Sequence, residues 1–272
     1  MPCFCKCVLC RGGASVSRSA FVLHHPLGAK YLLLTLKYFR AKIYHGKKCF
    51  SKYMDSGSDN MLKVEQIEVM NLKNAIRGAR NPMNSWARMD SAYDESGEFV
   101  LGENDLTLAR RLAVAGSDHR KFLRQIIVSL DITAPLYWWK EFDTYKVGTV
   151  ANSTSTMHKI HAKAFERSDF SCDHLSEDAL AVLDSLIEYI EGERVKFVET
   201  KEKAHWLNII QLLPSSYNQL RTVTLNYEVL INIYYARRHH KLDEWHTLCR
   251  AIEELPYAKE LIMVKEEREE TV

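Results

Sequence analysis

One stretch limits the possible architectures more than any other: SEDALAVLDSLIEYIEGERV, from Ser176 to Val195. Leu180, Leu183, Ile187 and Ile190 fall on one helical stripe, and Ser176 stands where an N-cap belongs. A second helix is expected over about 197–212, meeting Pro214, and a third, long one from near Ser216 to about 250, broken near His239. Upstream the pattern changes. MLKVEQIEVM alternates through Leu62, Val64, Ile67 and Val69, a strand with a slip at Gln66. NLKNAIRGAR reads as a short helix ended near Pro82, DESGEFVLGEND as a turn-rich loop, and ENDLTLARRLAVAG as a helix stopped at Gly116. FLRQIIVSLDITAPLYWW is rich in β-branched and aromatic residues and predicts a strand over 125–133, closed by Pro135. Strands gather in the first half and helices in the second, with no internal repeat. That order predicts an α+β domain, an antiparallel sheet with packed helices and a long C-terminal helix.

Charge divides the chain. Residues 1–53 hold ten Lys/Arg and no acid, whereas 54–272 hold 27 Lys/Arg against all 35 acids, a balance of −8. Five of seven cysteines (Cys3, Cys5, Cys7, Cys10, Cys49) also lie in the first segment. A zinc knuckle there is disfavoured, because C-x-C-x-C crowds a tetrahedral ion. An organelle transit peptide fits the missing acids. The preferred reading is a disordered or spurious N-terminal extension, with the α+β domain over 54–272 starting at Met54 or Met61. YLLLTLKYF is too short to span a membrane. With Cys172 and Cys249 alone downstream there is no disulfide framework, which fits a reducing cytoplasm.

Candidate chemistry is sparse. Asn226 and Arg237, eleven residues apart, share a helix face within about 20° and lie roughly 16 Å apart, with Leu230 and Ile233 near the line between them. A polar group at each end of an apolar strip suits an elongated ligand; a solvated surface pair is the plainer alternative. His239 and His240 point to different faces and do not share a metal. His119 beside Arg120, Lys121 and Arg124 forms a positive patch suited to phosphate, or plain surface. Between Thr149 and Thr156, Asn152, Ser153, Thr154 and Ser155 add further short polar groups directly after an aromatic run. No Walker loop, dinucleotide fingerprint or nucleophile elbow occurs.

Taken together, these segments resemble the flavin-dependent thymidylate synthases of the ThyX type, from about Leu62 to the last helix. NAIRGAR is similar to an early helix of that family. GSDHRKFLRQIIVSLDITAP is similar to its His-x-x-x-x-Glu-His segment, with His119 at the first histidine and Arg124-Gln125 in place of Glu-His. The family signature Arg-His-Arg, seven residues, Ser-x-Arg falls on Thr144-Tyr145-Lys146 and Thr154-Ser155-Thr156. Leu213-Pro214, Asn226, Asn232 and Arg237 keep the family's spacing. The resemblance implies FAD beside His119, Lys121, Tyr145, Lys146, Asn226 and Asn232, and dUMP or a related nucleotide beside Thr154, Ser155, Thr156 and Arg237. It further implies NADPH and methylenetetrahydrofolate as co-substrates and a homotetramer with sites shared between subunits.

The departures are as informative. One cation of the signature survives, at Lys146. The family's second flavin-side arginine is Glu228, the arginine before Leu-Pro is Ile210, and a downstream glutamine is Asp243. A charge-assisted contact to phosphate is worth on the order of 1.5–3 kcal/mol against about 1 for a neutral one. Two readings therefore compete: a divergent synthase that methylates dUMP, and a nucleotide- or flavin-binding protein of the same fold without that activity. A nucleic-acid binder using Trp138, Trp139 and Tyr145 is a third, opposed by the −8 balance.

Overall fold

The alternation in residues 127–135 sets the core. In the structure, a computed structural model that describes residues 62–264, strand β4 (Ile127–Pro135) turns Val128, Leu130, Ile132 and Ala134 to one buried face. β4 pairs antiparallel with β1 (Lys63–Met70) on one side and with β6 (Asn218–Asn226) on the other, and β5 (Val150–Ser153) closes the edge in the order β1-β4-β6-β5. The expected slip in β1 is real: Gln66 takes φ 52° and the register shifts between Glu65 and Glu68. β2 (Ala92–Tyr93), just before the predicted turn-rich loop, and β3 (Phe99–Val100), within it, make a small hairpin.

The helices are α1 (Leu72–Ala79), α2 (Glu103–Val114), α3 (Leu136–Phe142), α4 (Glu177–Thr200), α5 (Lys203–Leu212), α6 (Tyr227–Arg237), α7 (Asp243–Glu253) and α8 (Ala258–Leu261). α6 and α7 contribute Leu230, Ile233, Trp245, Leu248 and Ile252 to the core under β4 and β6. α4 and α5 enclose a second cluster of Leu183, Ile190 and Ile209 with Phe165 and Phe170. Ser176 caps α4 as expected, accepting from the Ala179 backbone. Antiparallel sheet and packed helices make this the expected α+β fold.

Three boundaries need correction. The long C-terminal helix from 216 does not exist: residues 218–226 form β6, and only α6 and α7 follow, separated near His239 as expected. NQLRTVTLN carries three consecutive β-branched residues, Thr222 to Thr224, and nine residue pairs with β4 outweigh any local helical tendency. The longest helix is instead α4, of 24 residues. It takes in 197–200, because the chain breaks only at Lys201, in the left-handed region at φ 61°. The strand foreseen over 125–133 starts two residues later, after a 3-10 turn over Arg120–Gln125. The cysteine-rich segment and the expected extension over 1–53 lie outside the described residues.

Candidate functional site

Pro135 ends β4 in extended geometry and α3 starts at once, burying Trp138, Trp139 and Phe142. Residues 143–149 then return to edge strand β5 by way of α6. Tyr145 reaches the C-terminal end of α6 and Gly148 its start.

At the C-terminal end Arg237 is held on several sides. Its Nε donates to the Tyr145 hydroxyl at 2.9 Å and its Nη1 to Glu141 Oε2 at 2.8 Å. The guanidinium carbon stands 4.6 Å from the Trp245 ring centroid, within cation–π range. The same Glu141 oxygen accepts from Trp245 Nε1 at 3.0 Å, and His240 Nε2 lies 3.4 Å away. Glu141 thus occupies Arg237 much as an anionic ligand would. Sequence reasoning passed it over, since an acid inside an aromatic run carries no motif.

At the other end Asn226 caps α6. Its side-chain oxygen accepts from the Val229 backbone at 3.1 Å. Gly148 packs so closely that an added Cβ would sit 2.9 Å from the Asn226 side-chain nitrogen and 3.2 Å from Val229, at φ +79°. Gly148→Ala is expected to lower stability by about 1–3 kcal/mol, read from the urea midpoint, because both the backbone strain and the close approach oppose a methyl group. Beside it the Thr149 hydroxyl is buried without a partner.

Asn226 and Arg237 do bracket a single helix, but the strip between them is closed. Leu230 is 1% exposed and Ile233 0%. α6 is apolar on nearly every side and is enclosed by the sheet, the 120–125 turn and α7, so these residues are core rather than ligand-facing. Asn232 is exposed, as are His119, Lys121 and Lys146. The hydroxyl run is partly structural. Thr154 extends the β5 edge, its backbone N–H and hydroxyl both donating to the Leu220 carbonyl. The Ser155 hydroxyl oxygen accepts from the Met157 and His158 N–H groups to make a turn, and Thr156 follows it, half-buried.

The positive patch at 119–124 is partly committed. Glu228, in the first turn of α6, accepts from Arg120 at 3.1 Å and pairs with Arg124. Arg124 holds the Glu228 carboxyl below its usual range; burial opposes this, and Arg120 assists. Where the family resemblance implies a glutamate at 124 and an arginine at 228, this chain carries the opposite charges, and they touch.

These commitments bear on FAD. Its diphosphate calls for cations or open backbone donors. Within one chain, Glu228 pairs with both Arg120 and Arg124 and offsets one of their two charges, the Tyr145 hydroxyl is engaged by Arg237 and the Asn226 oxygen by Val229, while Lys121 and Lys146 stay exposed. The fit to a flavin diphosphate within one chain thus rests on those two lysines. Among the described residues no group of three His, Cys, Asp or Glu side chains could hold a metal ion, and no helix is long and apolar enough to cross a membrane.

No family model matches the chain, and no curated protein does. Solved structures do. The flavin-dependent thymidylate synthase ThyX of Helicobacter pylori, complexed with FAD and dUMP, superposes with TM-score 0.52 at 20% identity, over 72% of this chain and 95% of that one. A second structure of the same enzyme with FAD and dUMP gives 0.53 at 19% identity, over 74% and 96%. The UMP/dUMP methylase PolB of Streptomyces cacaoi, bound with 5-Br dUMP, gives 0.50 at 13% identity, over 71% and 88%. An antiparallel sheet ordered β1-β4-β6-β5, a long helix over 177–200 and these superpositions together give the chain the fold of the flavin-dependent thymidylate synthases.

Proposed function

We propose that the protein binds a pyrimidine nucleotide such as dUMP at the C-terminal end of α6, with Arg237 taking the phosphate. The observation that carries this reading is the set of groups around Arg237. A guanidinium 18% exposed is stacked on Trp245, oriented by Tyr145 and neutralised by one carboxylate that a phosphate can replace. Thr154, Ser155 and Thr156 would supply neutral donors to the rest of the nucleotide, and a homo-oligomer, tetrameric as the resemblance implies, would bring them to the site of a neighbouring copy.

Two activities suit such a site. Methylation of dUMP with FAD, NADPH and methylenetetrahydrofolate is favoured by the fold, whose solved examples hold FAD and dUMP. Nucleotide binding without methylation is favoured by Glu141 and Glu228, which place carboxylates against the guanidinium groups a dianionic ligand and a flavin would need. The second is the reading adopted, and purified protein without flavin absorbance or dTMP formation is its expected signature. Retained flavin together with dTMP would return the protein to the synthases.

Titration calorimetry with dUMP tests the site itself. Glu141→Gln keeps an acceptor for the Trp245 indole but removes the competing charge, so dUMP should bind about tenfold more tightly, a gain of about 1.4 kcal/mol. Arg237→Ala should weaken binding by a similar factor or more. Equal affinity in wild type and both variants would remove the assignment.

A further inference from the structure

A second recess lies away from Arg237, between the turn after β5 and the α4–α5 junction. It has a volume of about 280 Å³ and is lined by Met157, His158, His161, Phe197, Lys201, Lys203 and Trp206. None of these residues belongs to the Arg237 cluster. Two aromatic rings and a thioether give it apolar walls, while two lysines stand at the break between the helices. Lys201 is fixed there by its left-handed backbone, with its ammonium 5.9 Å from the Phe197 ring centroid. Trp206 is anchored by its indole N–H, which donates to the Met157 carbonyl at 3.0 Å. The one acid between the lysines, Glu202, has a carboxylate oxygen 3.7 Å from His205 Nε2.

His161 supplies the further observation. Its ring packs edge-on against Phe197, and its Nδ1 is buried with no hydrogen-bond partner. Apolar aromatic walls, two ammonium groups and an imidazole ring form a complementary set for one ligand chemistry. We infer that this recess is a binding site for a planar heteroaromatic ring carrying a phosphate, of mononucleotide size, the ring against Trp206 and Phe197 and the phosphate against Lys201 and Lys203. Base-on-aromatic stacking and charge-assisted contacts then act together.

This inference does not depend on the reading of the Arg237 site, because its residues are different and its test is run on the full chain carrying Arg237→Ala, so that a nucleotide taken up there does not contribute. Calorimetry uses AMP and p-nitrophenyl phosphate as probes, with inorganic phosphate as the ring-free control. The Arg237→Ala chain should bind both aromatic phosphates at least about tenfold more tightly than phosphate. Lys201→Ala/Lys203→Ala, two exposed side chains whose removal leaves the packing intact, should weaken both by about tenfold or more. Trp206→Leu should bring AMP down to the level of phosphate. Inorganic phosphate binding as tightly as AMP, or AMP binding unchanged in the double lysine variant, would overturn the assignment. Should Trp206→Leu fail to fold, the lysine variant and the phosphate control still decide.

Discussion

Asp105→Ala is expected to lower the stability of the protein by about 3–5 kcal/mol, the largest effect of any single substitution considered, measured as a shift in the urea midpoint with unchanged slope. The Asp105 side chain is 0% exposed and Arg80, its partner at 2.6 Å, is 4% exposed. The second carboxylate oxygen accepts from the Ser91 hydroxyl at 2.5 Å and from the Ser91 and Asp90 backbone N–H groups at 3.0 and 3.2 Å. Removing the carboxylate leaves a buried guanidinium whose Nη2 already has no partner, and it strips three donors at once. The same network ties α2 in place, since Asp90 accepts from the Asn104 and Asp105 N–H groups at its start. Burial works against the Asp105 charge, but the Ser91 hydroxyl and Arg80 outweigh it, so its carboxyl sits below the usual value in the folded protein. A depressed carboxyl stabilises the fold above the unfolded-state pKa, and that contribution is lost as pH falls through the folded value. Wild type should therefore lose stability in acid more steeply than Asp105→Asn, and curves of equal steepness would count against the network.

The second large effect concerns the exchanged charges. Glu228→Arg places a third guanidinium against Arg120 and Arg124 in a site where Glu228 is 11% and Arg120 17% exposed. The expected cost is about 2–4 kcal/mol, below that of a fully buried pair because Arg124 is 55% exposed and partly screened. Arg124→Glu combined with Glu228→Arg restores the pair with the opposite orientation and should recover at least half of the loss. Double-mutant additivity, with no recovery, would show that the contact contributes nothing of its own. Phosphate affinity gives a second readout. If Glu228 is what withholds the patch from phosphate, Glu228→Gln, which removes the carboxylate from Arg120 and Arg124, should strengthen flavin phosphate binding severalfold over wild type.

Much of the architecture is legible from local rules. Gln66 announces its irregularity because the alternation of MLKVEQIEVM cannot be kept through it. The α4 stripe and its Ser176 cap follow from periodicity and from one hydroxyl at the right place. β6 is not legible in the same way. YNQLRTVTLNYEVLINIYYARR is apolar enough at every period to pass for one long helix, and only pairing with β4 divides it at Asn226. The hydroxyl-rich run has a related ambiguity. Its small polar groups serve a ligand or an edge strand equally well until Thr154 is seen bonded to Leu220 and Ser155 closing a turn.

The sequence alone determined the α+β class, the Ser176 cap and the identity of the charged groups on and around α6, because each depends on residue types and spacing within a short stretch. Tertiary structure decided which of those charges remain available. Glu141 and Arg237 are 96 residues apart, Arg124 and Glu228 are 104 apart, and no local pattern brings them together. An ion pair acts through distance in space, falling off over a few ångströms, and folding alone sets that distance.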